Sequence, residues 1–360
     1  MKIQIDGVVL ADAVKTLRAV VGGATTYIEV TPNFMKMTSV GDGSSFMISV
    51  PIKILEKSKN RSVALDSIAF ATSLTKVKDV VFEFGASSLV IKSGRYKADL
   101  ITHQFEQQVV IPEGEKDKGI KIKAKFIDKI KGLVPKLELT PLLPTYQFVP
   151  FGVKLTKDKA FLASFDFYQA AFVSTKEITG AVEFVMPNNV FSLLTRELKG
   201  QDYQLVITES VIYAYNEVFE YAAPMPQAGQ ADQVSFDDMQ ALYANLKTRI
   251  VKEGIDIKVK TEAITQMMEN GRAVYERDSS FEFTVTGDKC KLELKSSVGK
   301  ISNTIMLDER VKKDVSFVCD FHFFSSMMKK VSGTTLTLTV IPGAMLLFKS
   351  KPAIYMMTLS

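Results

Sequence analysis

Val63-Ala-Leu-Asp-Ser-Ile-Ala-Phe70-Ala-Thr-Ser-Leu74-Thr-Lys-Val77 has two echoes further along the chain. They are Phe184-Val-Met-Pro-Asn-Asn-Val-Phe191-Ser-Leu-Leu194-Thr-Arg-Glu-Leu198 and Phe317-Val-Cys-Asp-Phe-His-Phe-Phe324-Ser-Ser-Met327-Met328-Lys-Lys-Val331, and all three align without a gap. Each reads as a short strand, a polar or proline helix start, and about three turns of helix. Asp66 and Asp320 have the carboxylate that an N-cap needs to accept orphan backbone N–H groups, and Pro187 sits where an early-helix proline is tolerated. Phe70, Phe191 and Phe324 occupy one column, and Val77, Leu198 and Val331 follow seven residues on, on the same helical face.

The surroundings of these segments repeat as well. Strand-like runs follow each helix at Val80–Phe84, Tyr203–Ile207 and Thr335–Val340, then at Leu89–Lys92, Val211–Tyr215 and Met345–Lys349. Third strands come at Lys97–His103, Val218–Ala222 and Ala353–Leu359, with turn signals such as Ser93-Gly94 and Pro342-Gly343 between them. Ahead of each segment stands another alternating strand (Lys2–Ile5, Ile120–Lys123, Ile255–Lys260) and an amphipathic helix. Leu10, Val14, Leu17 and Val21 make the apolar stripe of the first, Phe126, Ile130, Leu133 and Leu137 that of the second, and Ile264, Met267, Met268 and Tyr275 a looser one in the third. The unit reads β-α-β-β-β-α-β-β-β, three times over. The phenylalanine columns are about 121 and 133 residues apart, too far for a solenoid, so each copy is a domain.

The longer second interval contains Met225-Pro-Gln-Ala-Gly-Gln-Ala-Asp232, which reads as a linker, and Ser235-Phe-Asp-Asp238, a capping-box variant. The spacing of Met239, Leu242, Tyr243, Leu246 and Ile250 predicts a helix over about 235–252, either packed beside the third domain or serving to recruit a partner. The expected domains are 1–115, 116–229 and 230–360.

Composition narrows the function. Lys and Arg total 45 against 40 Asp and Glu, a formal charge of +5, compatible with a polyanion partner but without basic blocks. No apolar run approaches the roughly 18–20 residues of a membrane span, so no membrane association is expected. Met1-Lys2-Ile3-Gln4 leads straight into strand-like sequence, which predicts no signal peptide. Cys290 and Cys319 cannot make a disulfide framework, pointing to a reducing cytoplasm, and with His103 and His322 they lack zinc-ligand spacing. There is no P-loop, and Gly41-Asp42-Gly43 lacks the third glycine of a dinucleotide fingerprint. No metal, cofactor or catalytic residue is expected.

A threefold repeat of a domain with two helices against antiparallel sheet resembles the bacterial β-subunit type of DNA sliding clamp. The resemblance spans nearly the whole chain. Its clearest local carriers are Ser88-Leu-Val-Ile-Lys-Ser-Gly-Arg-Tyr-Lys-Ala-Asp-Leu100, Tyr146–Leu155 with Ala163-Ser-Phe-Asp-Phe-Tyr-Gln-Ala-Ala171, and Ala353-Ile-Tyr-Met-Met357. The added helix, and a chain that stops at Ser360 about two residues early, suggest a bacteriophage-encoded version. The resemblance implies an α+β fold of three tandem clamp domains, two chains closing head-to-tail into a ring, and helices lining a hole for duplex DNA. A sliding protein needs phosphate contacts that are individually weak and blind to sequence.

Expected DNA-facing cations are Lys15 and Arg18 on the first helix, Lys131 on its counterpart, Lys76, Lys78, Arg196, Lys199, Lys329 and Lys330 on the second helices, and Arg272 in the third domain. Each reads equally as a solvated helix face, and the negative C-terminal end of the helix dipole also draws cations. Glu262, Glu269 and Glu276 interrupt a uniformly basic lining, and Gly22-Gly23-Ala24-Thr25-Thr26-Tyr27 is shorter than the family's loop and lacks its arginine, so no DNA contact is carried over there.

The resemblance also implies a cleft for short peptide motifs of DNA polymerase and clamp loader. Pro150, Phe167, Tyr168 and Ala170 would come from the second domain, and Met345, Met356, Met357 and Leu359 from the third; core and sheet edge is the alternative reading of each. Where the family carries a Gly-His-Arg-Leu run, this chain has Phe167-Tyr168-Gln169-Ala170, which implies a cleft of altered shape. For a homodimer, the Lys97–His103 strand with Lys97, Asp99 and Ile101 would pair with a third-domain strand of the other chain, and Val274 and Tyr275 match the family's apolar interface or belong to the core. The competing functions are a monomeric, non-ring polymerase accessory factor held to DNA by charge, and an enzyme on a repeated α+β scaffold, which no nucleophile–base pairing supports.

Overall fold

The computed structural model describes residues 1–56, 61–74, 78–103, 105, 110–111, 114, 116, 119–137, 139, 149–165, 168–178, 180–198, 200–225, 236–276, 279–350 and 353–359. The first repeat runs β1 (Lys2–Asp6), α1 (Gly7–Val20), β2 (Thr25–Val30), β3 (Phe34–Gly41), β4 (Ser44–Pro51), β5 (Lys53–Glu56), β6 (Arg61–Asp66), α2 (Ser67–Ser73), β7 (Asp79–Phe84), β8 (Ser88–Ser93) and β9 (Tyr96–Ile101). The second runs β10 (Ile120–Ile122), α3 (Ala124–Ile130), α4 (Val134–Leu137), β11 (Pro150–Leu155), β12 (Ala160–Phe165), β13 (Gln169–Thr175), β14 (Val182–Pro187), α5 (Asn188–Glu197), β15 (Tyr203–Ile207), β16 (Val211–Tyr215) and β17 (Phe219–Pro224). After α6 (Phe236–Glu253) the third runs β18 (Ile255–Lys260), α7 (Thr261–Gly271), β19 (Ser280–Thr286), β20 (Lys289–Ser296), β21 (Gly299–Met306), β22 (Val315–Asp320), α8 (Phe321–Met328), β23 (Thr335–Ile341), β24 (Met345–Ser350) and β25 (Ala353–Thr358).

The threefold order is that of the sequence repeat with one correction. Among the described residues four strands separate the two helices of a repeat, five in the first, where three were expected. Tight turns hide the division: Thr31 closes the β2–β3 turn by donating from its hydroxyl to the Phe34 carbonyl at 2.9 Å. The aligned helix starts are real. Asp66 accepts from Ala69 N at 2.7 Å and Asp320 from Phe323 N at 2.9 Å, while Pro187 ends β14 immediately before α5 rather than entering its first turn. Phe70, Phe191 and Phe324 are all fully buried. Phe191 stacks on Phe151 with centroids 4.6 Å apart, and Phe324 meets Phe281 edge-on at 5.0 Å, so the column is the aromatic centre of each repeat. Leu198 is buried and Val331 half-buried; Val77 lies outside the described residues.

Two predicted helices end early. The Phe126–Leu137 stripe is broken between α3 and α4. Pro135 has no N–H to give the Lys131 carbonyl, which removes an i→i−4 bond from the interior of that stripe. Tyr275 lies beyond α7, which stops at Gly271, where a Cβ would run into the Leu294 side chain.

The chain forms two compact units, Met1–Lys129 with Leu193–Gln227, and Ile130–Ser192 with Ala228–Ser360. In the first, one sheet has strand order β5-β1-β7-β8-β9 and another β10-β15-β16-β17-β4-β3-β2-β6. In the second, the orders are β14-β11-β12-β13-β25-β24-β23-β18 and β21-β20-β19-β22. The eight-stranded sheets are each two four-stranded halves from successive repeats, joined by β17–β4 in one unit and β13–β25 in the other. α1 and α2 pack together against both sheets of the first unit, and α7 and α8 each bridge the two sheets of the second. Among the described residues no helix is long and apolar enough to cross a membrane.

Candidate functional site

The cations singled out from sequence sit on solvated faces. α1 buries Leu10, Ala13, Val14 and Leu17 and exposes Lys15 and Arg18, with Asp6 capping its start by accepting from Val8 N at 2.8 Å. Lys78, Lys131, Arg272 and Lys329 are exposed and Lys330 half-buried. Arg196 is exposed but pairs with its neighbour, Nε to Glu197 Oε1 at 2.7 Å. Lys76 and Lys199 lie outside the described residues. Lys15, Arg18, Lys78 and Lys329 make no salt bridge among the described residues, so their charge is available to a mobile polyanion.

α7 differs. Its N-cap is Lys260, which makes no side-chain cap bond, and Glu262 and Glu269 line an open cavity with Thr261, Thr265 and Gly333–Thr335. Its two carboxylates oppose phosphate, while Lys260 on the same lining attracts it. The start of α3 is capped from elsewhere in the chain: Asp202 accepts from Ala124 N and from Lys123 Nζ, both at 2.9 Å, and these bonds hold its carboxyl below the usual range.

The predicted peptide cleft is divided by strand alternation. Met356 and Met357 are adjacent, so they face opposite sides of β25. Ala170, which pairs with Met356, and Met345 lie with it in one apolar cluster beneath α6, whose Phe236, Met239 and Leu246 close it. Gly152 on β11 makes room for that helix; a Cβ there would collide with Met239 Sδ and lie 3.1 Å from the Phe236 ring. The predicted 235–252 helix is therefore packed on the sheet. Met357 is buried on the other face, in the row of Tyr355 and Phe348, where Phe348 meets Phe324 of α8 at 5.1 Å. Pro150 is buried, Leu359 half-buried, and Tyr168 is 41% exposed at the end of the β13–β25 junction; Phe167 lies outside the described residues.

Two sheet edges carry the expected subunit residues and some that sequence reasoning missed. Among the described residues β9 pairs only with β8, and it exposes Lys97, Asp99 and, at 76%, Ile101. β21, among the described residues, pairs only with β20. Val274 sits beside the β20–β21 hairpin, its carbonyl accepting from Ser296 Oγ at 2.6 Å, and Tyr275 packs on Phe321 with centroids 5.2 Å apart. The missed residues are Val298, Lys300, Ser302 and Met306, whose alternation after the Ser297-Val298-Gly299 turn is the strand signal that would have found them. Lys300 and Lys291 form ion pairs with Glu293 at 2.5 and 3.0 Å and hold its carboxyl down at about 2.

Comparison with solved structures gives the fold a likeness over its whole length. The DNA polymerase sliding clamp from Bacillus subtilis superposes with a TM-score of 0.76 at 14% identity, covering 100% of this chain and 99% of that one. The DNA polymerase III subunit beta from Pseudomonas aeruginosa gives 0.78 at 10% identity, covering 100% of both chains. The beta subunit from Thermotoga maritima gives 0.77 at 11%, covering 100% and 99%. No protein-family model matches the sequence, and no curated protein matches it. The fold is that of the bacterial beta sliding clamps.

Proposed function

We propose that this chain is a DNA sliding clamp, a processivity factor that encircles duplex DNA as a head-to-tail homodimer and tethers a replicative DNA polymerase. The observation that carries the reading is the full-length match of fold to the beta clamps, with 99–100% of each chain covered, together with a threefold repeat that has no evident purpose in a catalyst. The three domains are 1–115, 116–229 and 230–360, and the reading assigns the chain no chemistry of its own. The setting is the cytoplasm. A bacteriophage source rests on the added α6 alone.

DNA is held by topology and by weak phosphate contacts from Lys15, Arg18, Lys78, Lys131, Arg196, Arg272, Lys329 and Lys330, with Lys76 and Lys199 in the same role. Exposure of the first three and of Lys329, each without a salt bridge among the described residues, supports that assignment. Peptides of polymerase and clamp loader dock at the rim of the α6 cluster, around Tyr168, Met345 and Leu359. An aromatic exposed at the end of the β13–β25 junction, and an adaptable methionine at the margin of the α6 cluster, support this place.

The test is retention on DNA. A clamp loaded on nicked-circular DNA stays bound through a rise to high salt and is lost when the circle is linearised. Loss from the circle at the same salt that strips linear DNA would favour the electrostatic accessory factor instead, because charge-held binding collapses steeply with ionic strength.

A further inference from the structure

Two junctions inside the molecule join hairpins from successive repeats, and they share one register. Ser45 and Ala170 are each the third residue past the midpoint of their hairpins, β3–β4 and β12–β13. Ala222 and Met356 are each the fifth residue past the midpoints of β16–β17 and β24–β25. Ala222 faces Ser45, and Met356 faces Ala170. The fifth residue of one hairpin thus faces the third of the other in both junctions, although the β16–β17 turn is longer. The strands in the corresponding places that still have an open side are β9 and β21. Past the β8–β9 midpoint the fifth residue is Asp99, and past the β20–β21 midpoint the third is Lys300.

Resting on the two-copy ring reading, we propose that β9 of one copy pairs antiparallel with β21 of the other in this register, so that Asp99 faces Lys300 of the partner subunit. The neighbouring pairs are complementary as well. Ile101 falls opposite Val298, at 76% and 63% exposure two of the most exposed large apolar side chains. Their counterparts in the β13–β25 junction are Thr358 and Tyr168, joined by Thr358 N donating to Tyr168 O at 2.8 Å, so Ile101 N donates to the Val298 carbonyl. Leu100 falls opposite Gly299, whose missing side chain leaves Val274 within reach: a Cβ on Gly299 would lie 3.4 Å from Val274 Cγ1. Lys97 faces Ser302, and Ala98 faces Ile301.

The covering of the internal junctions explains why this one carries an ion pair. Met47 and Ala222, beside the first junction, lie under Val110 and Ile111, from the segment that connects the first two repeats. Ala170 and Met356 lie under α6, from the segment that connects the last two. No covalent segment links two copies. The outer face of the third junction stays wet, where apolar pairs gain less and opposite charges fix register and partner. Lys300 there stands between Glu293 of its own chain and Asp99 of the other.

Two experiments on the full chain test this. Asp99→Cys with Lys300→Cys in one chain should yield disulfide-linked dimers under mild oxidation, and Asp99→Cys with Ser302→Cys, displaced by two residues, should not, since diagonal positions lie too far apart for the bond. Separately, Asp99→Lys or Lys300→Asp alone should weaken the dimer about tenfold by sedimentation, because a twofold assembly repeats the contact, and the double exchange should restore it to within about threefold. Cross-linking that favours 99–302, or a double exchange no tighter than the singles, overturns the register even if the protein is retained on circular DNA. Loss of that retention in the parent protein would instead overturn the clamp reading itself.

Discussion

Replacing Gly152 with alanine puts a methyl group where α6 meets β11. The added Cβ falls inside the contact distance of Met239 Sδ and 3.1 Å from Phe236 Cδ2, and Met239 is fully buried, so it has no open space to move into. Overpacking of this kind costs about 1–3 kcal/mol. Removing a strand glycine returns about 0.5–1 kcal/mol. The net expectation is about 1–2 kcal/mol of destabilisation, a fall in Tm of roughly 3–6 °C for the unit that holds α6. Met239→Ala alone should cost about 2–5 kcal/mol through the cavity it leaves. In that background the alanine at 152 fills part of the hole and should be neutral or stabilising, a coupling of about 1–2 kcal/mol. Calorimetry gives the Tm values, and amide exchange across Met239–Ile250 shows whether the loss is in α6. An equal fall in Tm in both backgrounds would falsify the seating of Met239 on Gly152, and with it the reading of α6 as a fixed part of the sheet rather than a detachable recruiting helix.

Phe324→Ala should destabilise the third repeat by about 3–5 kcal/mol, since it removes a fully buried ring that touches Phe281, Phe283 and Phe348; a Tm within 1–2 °C of the parent would contradict its central place. The Glu293 carboxyl is held below its ordinary value of 4.5 at about 2, chiefly by Lys300, so its contribution is complete above about pH 4.5 and lost as the pH falls toward 2. The Tm gap between parent and Glu293→Gln should therefore be open at pH 6 and closed near pH 2, and a gap independent of pH would refute the ion pairing. Lys15→Ala with Arg18→Ala should lower the salt slope of DNA binding by up to about two while leaving retention on circular DNA intact; an unchanged slope would remove these residues from the phosphate path. Burial raises the thiol of Cys290 to about 12 and also that of Cys319, so neither should react with a disulfide reagent until the protein unfolds. Rapid labelling of the native protein would show that sheet to be open.

The helices and their buried faces were legible in the sequence because helical order is local. The Phe70–Phe191–Phe324 column and the caps Asp66 and Asp320 are spaced by the turn of one helix, and nothing distant is needed to place them. The breaks were less legible: Pro135 interrupts a continuous apolar stripe, and α7 stops at Gly271, where Leu294 of another strand leaves no room for a Cβ. Strand partners were not legible. A period of two says which face a residue takes but not which strand lies beside it, so the pairing of β17 with β4 and β13 with β25 had no signature in either segment. The same alternation separated Met356 from Met357, and a cluster read as one cleft became a floor under α6 on one side and core on the other. The threefold unit and its apolar columns needed nothing beyond the order of residues, since these follow from short-range periodicity and repetition. Where α6 rests, and the registers in which β17 meets β4 and β13 meets β25, came from the folded chain, since both depend on contacts between segments far apart in sequence.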